Sequence, residues 1–387
     1  MDFAHYKYAF IKEAHTKGYS LTNIQRCLDY AEVLFSHQVP VIYNIEHLSG
    51  LVGYKKEYLK KASLFPNYFY RDFEIPKKNS GQRLISEPLP SLKEIQIWIL
   101  RNLLYKAPVS AFAKAYKPSV TLLENLRFHK KQPKVFTLDL ENFFPSLSVK
   151  AVENEFLKLG YSKIVSKLLS KLCTRNGTLP QGAPTSPYLS NLIFKEADTA
   201  IAGYCKDYKI RYTRYADDMS FSGDFNENEL LQKVTKTIEK LNLHINTKKT
   251  KLMTPNMRQT VTGVVVNEKP QVVFHKRNEL RQALYYIKKF GFEDHRKYKN
   301  IDQKKYLENL LGKTNFVLQI NPKDAEFIKY KAVLIDLKNK QNFQALEDEL
   351  LPIYKNICRH GFETASSWRF FLFITSTNKI SYYCFNI

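Results

Sequence analysis

Apolar residues recur at helical spacing in several segments of the chain. In "NIQRCLDYAEVLF", near the N-terminus, they return every third or fourth position, which predicts an amphipathic helix. The same period predicts a helix over "SLKEIQIWILRNLL" and another from about Glu227 to Leu241. The residues expected on the apolar sides of these three helices are Ile24, Leu28, Ala31 and Leu34, then Ile95, Trp98, Ile99 and Leu103, and then Leu230, Val234, Ile238 and Leu241.

Short β-prone runs bounded by turn residues lie between the helices. "YRDFEIPKKNSGQRLISEP" predicts a hairpin with a basic turn, and "KVFTLDLENFFPS" predicts a strand from Val135 to Leu140 that Pro145 ends. "IRYTRYADDMSFS" predicts a second hairpin. Helices are expected from about Val149 to Leu172 and from near Ser186. This alternation predicts an α+β fold, with a sheet covered by helices on one side.

The C-terminal third has a different pattern. From about Lys276 onwards, "NELRQALYYIKKF", "QKKYLENLLGKTNFVLQI" and "KDAEFIKYKAVLIDLKNK" predict a largely helical domain. The last forty or so residues are aromatic and β-prone, and their pattern does not define particular elements. The sequence therefore predicts a helical region that is separate from the α+β part.

The charge balance indicates a polyanionic partner. The chain has 60 Lys and Arg against 37 Asp and Glu, a formal net charge of +23 that is spread along its whole length. A broad basic surface of this kind favours nucleic acid. The five cysteines form no CxxC pair, which argues against a zinc site or a disulfide framework and fits reduced thiols. The N-terminus has no apolar run of signal-peptide length, and "WRFFLFI" is too short to cross a bilayer, so we expect a cytoplasmic protein with no membrane partner.

The candidate chemistry lies in "RYADDMSFSG", where Asp217 and Asp218 stand side by side. Adjacent aspartates are by themselves ordinary turn formers, but here β-prone residues on both sides leave room only for a tight turn. If the strand that carries Asp139 lies beside this hairpin, three carboxylates converge at one edge of the sheet. Such a cluster favours divalent cations, and a pair of Mg²⁺ ions would support phosphoryl transfer. The residues alone leave the choice between polymerase and nuclease open.

Four segments resemble the palm motifs of reverse transcriptases in order and approximate spacing: "FTLDLENFFPSLS", "LPQGAPTSPYLSNLIF", "YTRYADDMSFSG" and "LHINTKKTKL". Within that family, the chain is most similar to bacterial retron reverse transcriptases. "NLRFH", from Asn125 to His129, is similar to the retron NAxxH signature, although Leu126 replaces the usual alanine. "VTG", from Val261 to Gly263, is similar to a second retron hallmark.

The resemblance implies a right-hand polymerase with fingers, an antiparallel palm sheet covered by helices, and a helical thumb. It implies a helical extension at 1–65, fingers at 66–134, a palm at 135–275, and a thumb with an RNA-binding region at 276–387. Residues 150–185 are expected to belong partly to the fingers and partly to the palm.

The resemblance also assigns a metal site for two Mg²⁺ ions. Asp139 and Asp217 are the expected ligands that bridge the ions, with help from the backbone carbonyl of Leu140. Asp218 is expected to contribute mainly its negative field. Lys249 matches the motif D lysine that neutralises or protonates the leaving pyrophosphate, a role that Lys248 could fill instead. The alternative for both lysines is a solvated basic turn.

The deoxynucleoside triphosphate site is implied in the same way. Phe144 falls where the family places the aromatic ring that excludes a 2′-hydroxyl; the alternative is an ordinary core phenylalanine. Gln181 and Gly182 would line the pocket, where glycine lets the backbone approach the base pair. Arg83, together with Lys77 or Lys78, would hold the triphosphate.

The partners implied by the resemblance are a cognate structured non-coding RNA and the DNA copied from it. The enzyme would reverse transcribe part of this RNA into single-stranded DNA that stays linked to RNA (msDNA), in anti-phage defence, with an effector protein as a further partner. The residues assigned to RNA binding are Asn125, His129, Val261, Thr262, Gly263, Lys288 and Lys289. Two alternatives are a reverse transcriptase of the group II intron or another defence type, and a maturase-like RNA-binding protein with a decayed site. The second is disfavoured because all three acids are present.

Overall fold

The computed structural model describes residues 2–76, 81–301, 303–361, 368–374 and 380–386. The chain divides into two compact units, Met1–Val273 and Phe274–Ile387. Lys77 and Lys78, one of which we predict to bind the triphosphate together with Arg83, lie outside the described residues. Within the described ranges, no helix has both the length and the apolar character that a membrane span requires.

The first unit begins with four helices that pack around apolar side chains. Ser20 caps the second of them by accepting a hydrogen bond from the Asn23 N–H. Ile24, Leu28, Ala31 and Leu34 are all buried, as their spacing predicts. The four helices are α1 (Phe3–Thr16), α2 (Leu21–Ser36), α3 (Ile45–Val52) and α4 (Lys56–Leu64).

The basic hairpin follows, and its strands β1 (Tyr70–Pro76) and β2 (Gln82–Pro88) are antiparallel. Helix α5 (Pro90–Asn102) comes next. Ile95 and Ile99 are fully buried on its inner side, whereas Trp98 is only partly buried. The short helix α6 (Leu122–Arg127) leads into the central sheet.

The central sheet is antiparallel and confirms the predicted α+β class. Its strands lie in the order β4-β5-β3-β6. They are β3 (Lys134–Asp139), β4 (Arg211–Tyr215), β5 (Asp218–Gly223) and β6 (Lys251–Met253). The helices of this part of the chain are α7 (Val149–Lys158), α8 (Lys163–Cys173), α9 (Ser186–Ile193), α10 (Lys195–Asp207) and α11 (Glu227–Ile238), so the single helix expected between residues 149 and 172 is divided in two.

The two faces of β5 differ in chemistry. Met219 and Phe221 join the main apolar core with the buried faces of the helices. Ser220 and Ser222 alternate with them and are also buried. The polar face of this strand is therefore covered as well, in addition to the helical cover that the sequence predicts on the other side. A small sheet of β7 (Thr260–Val261), β8 (Val264–Val265) and β9 (Gln271–Val272) follows.

The second unit is mostly helical. Leu280, Leu284 and Ile287 form the buried stripe of its first helix. Gly291, with φ of +87°, separates that helix from a short one that the sequence pattern did not predict. The helices are α12 (Phe274–Phe290), α13 (Phe292–Lys299), α14 (Gln303–Ile320) and α15 (Ala325–Gly361). The β-prone C-terminus contains an antiparallel pair, β10 (Trp368–Ile374) and β11 (Ile380–Asn386).

Candidate active site

Three carboxylates meet at one edge of the central sheet. Asp139 ends β3 and lies directly opposite Asp218, the first residue of β5. Asp217 occupies the turn before β5, and its carbonyl accepts a hydrogen bond from the Leu140 N–H at 3.1 Å. The adjacency of strand and hairpin that the sequence predicts is therefore present, because register places the acids side by side.

The turn that carries the acids contains a strained residue and is stabilised by a buried arginine. Ala216 has φ of +59°, a left-handed conformation that costs an L-residue about 1–2 kcal/mol. The carbonyl of Ala216 accepts a hydrogen bond from Nη1 of Arg214 at 3.0 Å. Arg214 in turn donates to both carboxylate oxygens of Asp198, at 2.9 and 2.8 Å, and both side chains are fully buried. A buried ion pair between α10 and β4 thus fixes the turn that carries Asp217 and Asp218.

The electrostatics of the cluster favour a bound cation. Burial, and then the charges of Asp217 and Asp139, raise the pKa of Asp218 to about 6. Burial is also the largest cause of the raised pKa of Asp217, and the charge of Asp139 adds to it. Like charges in a partly buried site hold each other protonated unless a positive charge lies between them.

In this structure the nearest such charge is Lys249. Its Nζ donates to both carboxylate oxygens of Asp139, at 3.1 and 2.9 Å, and this bond raises the pKa of the lysine. Lys248 is exposed beside it and does not pair with the acids. Of the two lysines that the resemblance allows, Lys249 is the one at the site.

The donor set fits a hard divalent cation. Carboxylate oxygens are the ligands that Mg²⁺ prefers, and Asp139 and Asp217 supply them at the sheet edge. Across the residues that the structure describes, no three acidic, histidine or cysteine side chains are already arranged around a common metal position. With Lys249 on Asp139, a metal would have to replace an ammonium group at that carboxylate.

Phe144 lies in the turn that follows β3, the strand that Asp139 ends. Its ring is partly buried, 5.4 Å from the ring of Phe143 and 6.3 Å from that of Tyr116. Phe143, with 4% of its surface exposed, is the core residue of the two. Phe144 therefore retains exposed ring surface, which the proposed contact with a sugar requires.

The loop of Gln181 and Gly182 is attached to the basic hairpin. The Ser86 N–H on β2 donates to the Gln181 carbonyl at 2.8 Å. Gly182 has φ of +128°, and a Cβ at this position would lie 2.8 Å from the Ser86 carbonyl oxygen. Only glycine permits this approach. Arg83 lies on the same strand as Ser86 and is exposed, and its positive charge opposes part of the rise in the pKa of Asp217 that burial causes.

Asn125 and His129 are interior residues, 1% and 0% exposed. The Thr213 hydroxyl donates to the Asn125 side-chain carbonyl at 2.5 Å. Because the Thr213 hydroxyl has used its hydrogen, its oxygen accepts a hydrogen bond from His129 Nε2–H, 2.7 Å away. His129 Nδ1 therefore carries no hydrogen and accepts from the Ser222 hydroxyl, also at 2.7 Å. Burial lowers the pKa of His129 to about 3, so the ring is neutral. "NLRFH" is thus hydrogen-bonded to both strands of the hairpin that carries Asp217 and Asp218.

"VTG" forms the tight turn between β7 and β8. Thr262 and Gly263 have φ of +49° and +76°, the pattern of a two-residue hairpin turn, while Val261 is buried. The Thr262 hydroxyl accepts a hydrogen bond from the Asn125 side-chain amide at 3.0 Å. The two retron-like signatures therefore contact each other. Because Asn125 and His129 are buried, any effect of these residues on RNA binding would be indirect, through the exposed residues that they hold in place.

Lys288 and Lys289 are exposed at the end of α12 in the second unit. The Lys289 ammonium lies 5.1 Å from the ring centre of Phe290 and 5.8 Å from that of Tyr285. Both rings are more than half exposed, so this helix presents aromatic and basic groups together.

Several residues at the site were not found from the sequence. Arg214 had one signal, a charge within a strand expected to be buried, but its partner Asp198 had none. Arg175 donates to Ser86 and Asn67, at 3.0 and 2.9 Å, and so supports the base of the basic hairpin. Tyr116, beside Phe144, belongs to no periodic pattern.

Comparison with known proteins identifies the family of the chain. Residues 75–304 match the reverse transcriptase (RNA-dependent DNA polymerase) family. The retron Ec86 reverse transcriptase of Escherichia coli is 34% identical over 259 residues, which span 64% of this chain and 79% of the relative. The retron Mx65 reverse transcriptase of Myxococcus xanthus is 31% identical over 279 residues, 66% of this chain and 62% of the relative. A solved foamy viral protease-reverse transcriptase has a TM-score of 0.40 and 18% identity, covering 69% of this chain and 39% of its own. The chain therefore belongs to the retron reverse transcriptases, a family of RNA-directed DNA polymerases.

Proposed function

We propose that this chain copies part of a cognate structured RNA into DNA at the site formed by Asp139, Asp217 and Asp218. The observation that carries the proposal is the register of Asp139 opposite Asp218 with Asp217 in the adjoining turn, in a chain of this family. In the reaction, a hydroxyl of the primer gives up its proton to solvent, and its oxygen bonds to the α-phosphorus of a deoxynucleoside triphosphate. The bond from that phosphorus to the bridging oxygen breaks, and pyrophosphate leaves.

Asp139 and Asp217 would hold two Mg²⁺ ions, with the Leu140 carbonyl as a further ligand. Bound there, the ions lower the pKa of the attacking hydroxyl and neutralise charge on the pyrophosphate. Asp218 adds negative charge behind the ligands. Lys249, which donates to Asp139 in this structure, would be displaced from it by a bound metal and would supply positive charge or a proton to the pyrophosphate.

The substrate side of the site is proposed from the same geometry. Arg83 holds the triphosphate, a task that suits the fixed fork of a guanidinium group. Gln181 and Gly182 line the base pair, and Phe144 excludes a 2′-hydroxyl. In this proposal residues 66–134 act as fingers, 135–275 as palm and 276–387 as thumb.

The RNA partner is proposed to bind partly through the second unit. Lys288 and Lys289 supply charge for phosphates, and the exposed rings of Tyr285 and Phe290 offer stacking surfaces for unpaired bases. The product would be single-stranded DNA joined to the RNA through a guanosine 2′-hydroxyl, and the system would act in anti-phage defence with an effector protein. The support for these finer points is membership of the family.

The test starts from the complex purified from cells that express the chain with its neighbouring non-coding region. Sequencing the copurified nucleic acid, before and after RNase and debranching treatment, identifies template, product and linkage. The matched control is the same complex with Asp217→Asn and Asp218→Asn. DNA that is covalently joined to RNA in the wild type and missing in the variant supports the proposal. Equal DNA in both would remove it.

A further inference from the structure

Tyr116 combines an unusual backbone conformation with a place beside the candidate active site. Its φ is +60°, which a non-glycine residue adopts at a cost of about 1–2 kcal/mol. Residues held in this way concentrate at functional sites, because the surrounding structure must maintain them. The observation calls for an account of what holds Tyr116 and what its ring contacts.

Hydrogen bonds fix the segment that leads to Tyr116. The Arg214 N–H donates to the Phe112 carbonyl at 2.9 Å, and the Lys114 N–H donates to the Arg214 carbonyl at 2.8 Å. The Asn191 side-chain amide donates to the Ala115 carbonyl at 2.8 Å. Because Arg214 also supports the catalytic turn, the backbone before Tyr116 is tied to the strand that carries the acids.

The ring of Tyr116 lies among groups that the proposed reaction uses. Its centre is 6.3 Å from that of Phe144, and 43% of the residue is exposed. Burial raises the pKa of its hydroxyl to about 12, with the charge of Asp217 adding and that of Arg83 opposing.

We propose that Tyr116 is a specificity-determining residue that forms, with Phe144, a two-ring wall against the sugar of the incoming deoxynucleoside triphosphate. This inference rests on the proposed function of the site. The Tyr116 ring limits how far the sugar can shift, which lets Phe144 exclude a 2′-hydroxyl by contact. The left-handed backbone is the means by which the ring reaches this place from a segment bonded to β4.

The test compares two variants. Tyr116→Gly removes the ring, and glycine tolerates the positive φ at this position; Tyr116→Phe keeps the ring and removes only the hydroxyl. Steady-state rates are measured on a primed RNA template with matched deoxy- and ribonucleotides. Tyr8→Ala, at a tyrosine that is 72% exposed on α1, is the control. Tyr116→Gly is expected to raise the KM for deoxynucleotides by about tenfold and to lower deoxy-over-ribo selectivity by a similar factor, with kcat changed by less than about threefold. Tyr116→Phe should keep the deoxy-over-ribo selectivity within about threefold of the wild type, because the ring remains, and Tyr8→Ala should stay within about threefold in every parameter.

The outcomes distinguish a failure of the role of Tyr116 from a failure of the proposed polymerase function. Unchanged KM and selectivity in an active Tyr116→Gly enzyme would overturn the role of Tyr116 and leave the polymerase proposal intact. A loss of kcat alone would also overturn it, because that result indicates a structural contribution to the turn. If Tyr116→Gly fails to fold by its thermal melt, Tyr116→Leu is measured against the same expectations. A wild-type complex without DNA synthesis would instead overturn the proposed function itself.

Discussion

The buried pair of Arg214 and Asp198 gives the strongest prediction for stability. Asp198→Ala removes the carboxylate that accepts two hydrogen bonds from Arg214, and it also removes the 2.7 Å bond from the Tyr212 hydroxyl. Both charged side chains are fully buried, so the remaining guanidinium has no water to replace its partner. Breaking such a pair costs about 3–5 kcal/mol.

The assay is urea denaturation of the purified chain, followed by circular dichroism, at constant protein and salt concentration. The control is Glu13→Ala, which breaks an exposed ion pair with Lys17. The Lys17 side chain is 61% accessible and the Glu13 side chain 69%. Exposed pairs of this kind contribute at most about 1 kcal/mol, so the control should leave the midpoint nearly unchanged.

A double variant separates stability from function. Replacing the pair by apolar residues, Arg214→Met with Asp198→Leu, leaves no buried charge and is expected to recover most of the lost stability. It nevertheless lacks the bond to the Ala216 carbonyl, so DNA synthesis should remain strongly reduced. The pair does not support the turn that carries the acids if Asp198→Ala has the same urea midpoint as the wild type. The same conclusion follows if the double variant synthesises DNA at the wild-type rate.

Three further predictions concern the site. With Asp217→Asn and Asp218→Asn together, incorporation of labelled deoxynucleotides should fall by at least about 100-fold while RNA retention on filters persists, because the basic surface is unchanged. Phe144→Ala should increase ribonucleotide incorporation relative to deoxynucleotide; an unchanged ratio in a folded, active variant would mean that the 2′-hydroxyl is excluded elsewhere. His129→Ala should lower the free energy of unfolding by about 3 kcal/mol, since two buried hydroxyls lose their partner. The lowered pKa of His129 means that its protonation in the unfolded chain reduces stability as pH falls below about 6.5 towards 3, and this slope should be smaller in the variant.

The sequence was most informative where local pattern and register coincide. The strand before Asp139 and the hairpin at Asp217 could both be predicted, because β-prone residues bounded by turn signals define them. The helix from Phe292 to Lys299 was missed, since a charged eight-residue segment has no clear apolar face and its start depends on the φ of Gly291.

Contacts over long sequence distances could not be predicted. Asn125 and His129 were expected to contact RNA, and polar residues in or just after a short helix give no sign of burial. Their hydrogen-bond partners are 84 or more residues away along the chain. The support of the turn by Asp198 is of the same kind, because a carboxylate on a helix reveals its partner only when the helix is packed on the strand.

The hydrogen bond from the Ser86 N–H to the Gln181 carbonyl joins the basic hairpin to the loop that carries Gln181 and Gly182. Arg83 lies on the hairpin strand, three residues before Ser86, and Gly182 lies within the loop with no room for a side chain. The hairpin cannot tilt without carrying the loop or breaking this bond. Under the proposed function, binding of the triphosphate by Arg83 and pairing of its base would therefore be thermodynamically coupled. A mismatched base that displaced the loop would also weaken the contact with its own phosphates, so fidelity would arise during binding, before any bond is made.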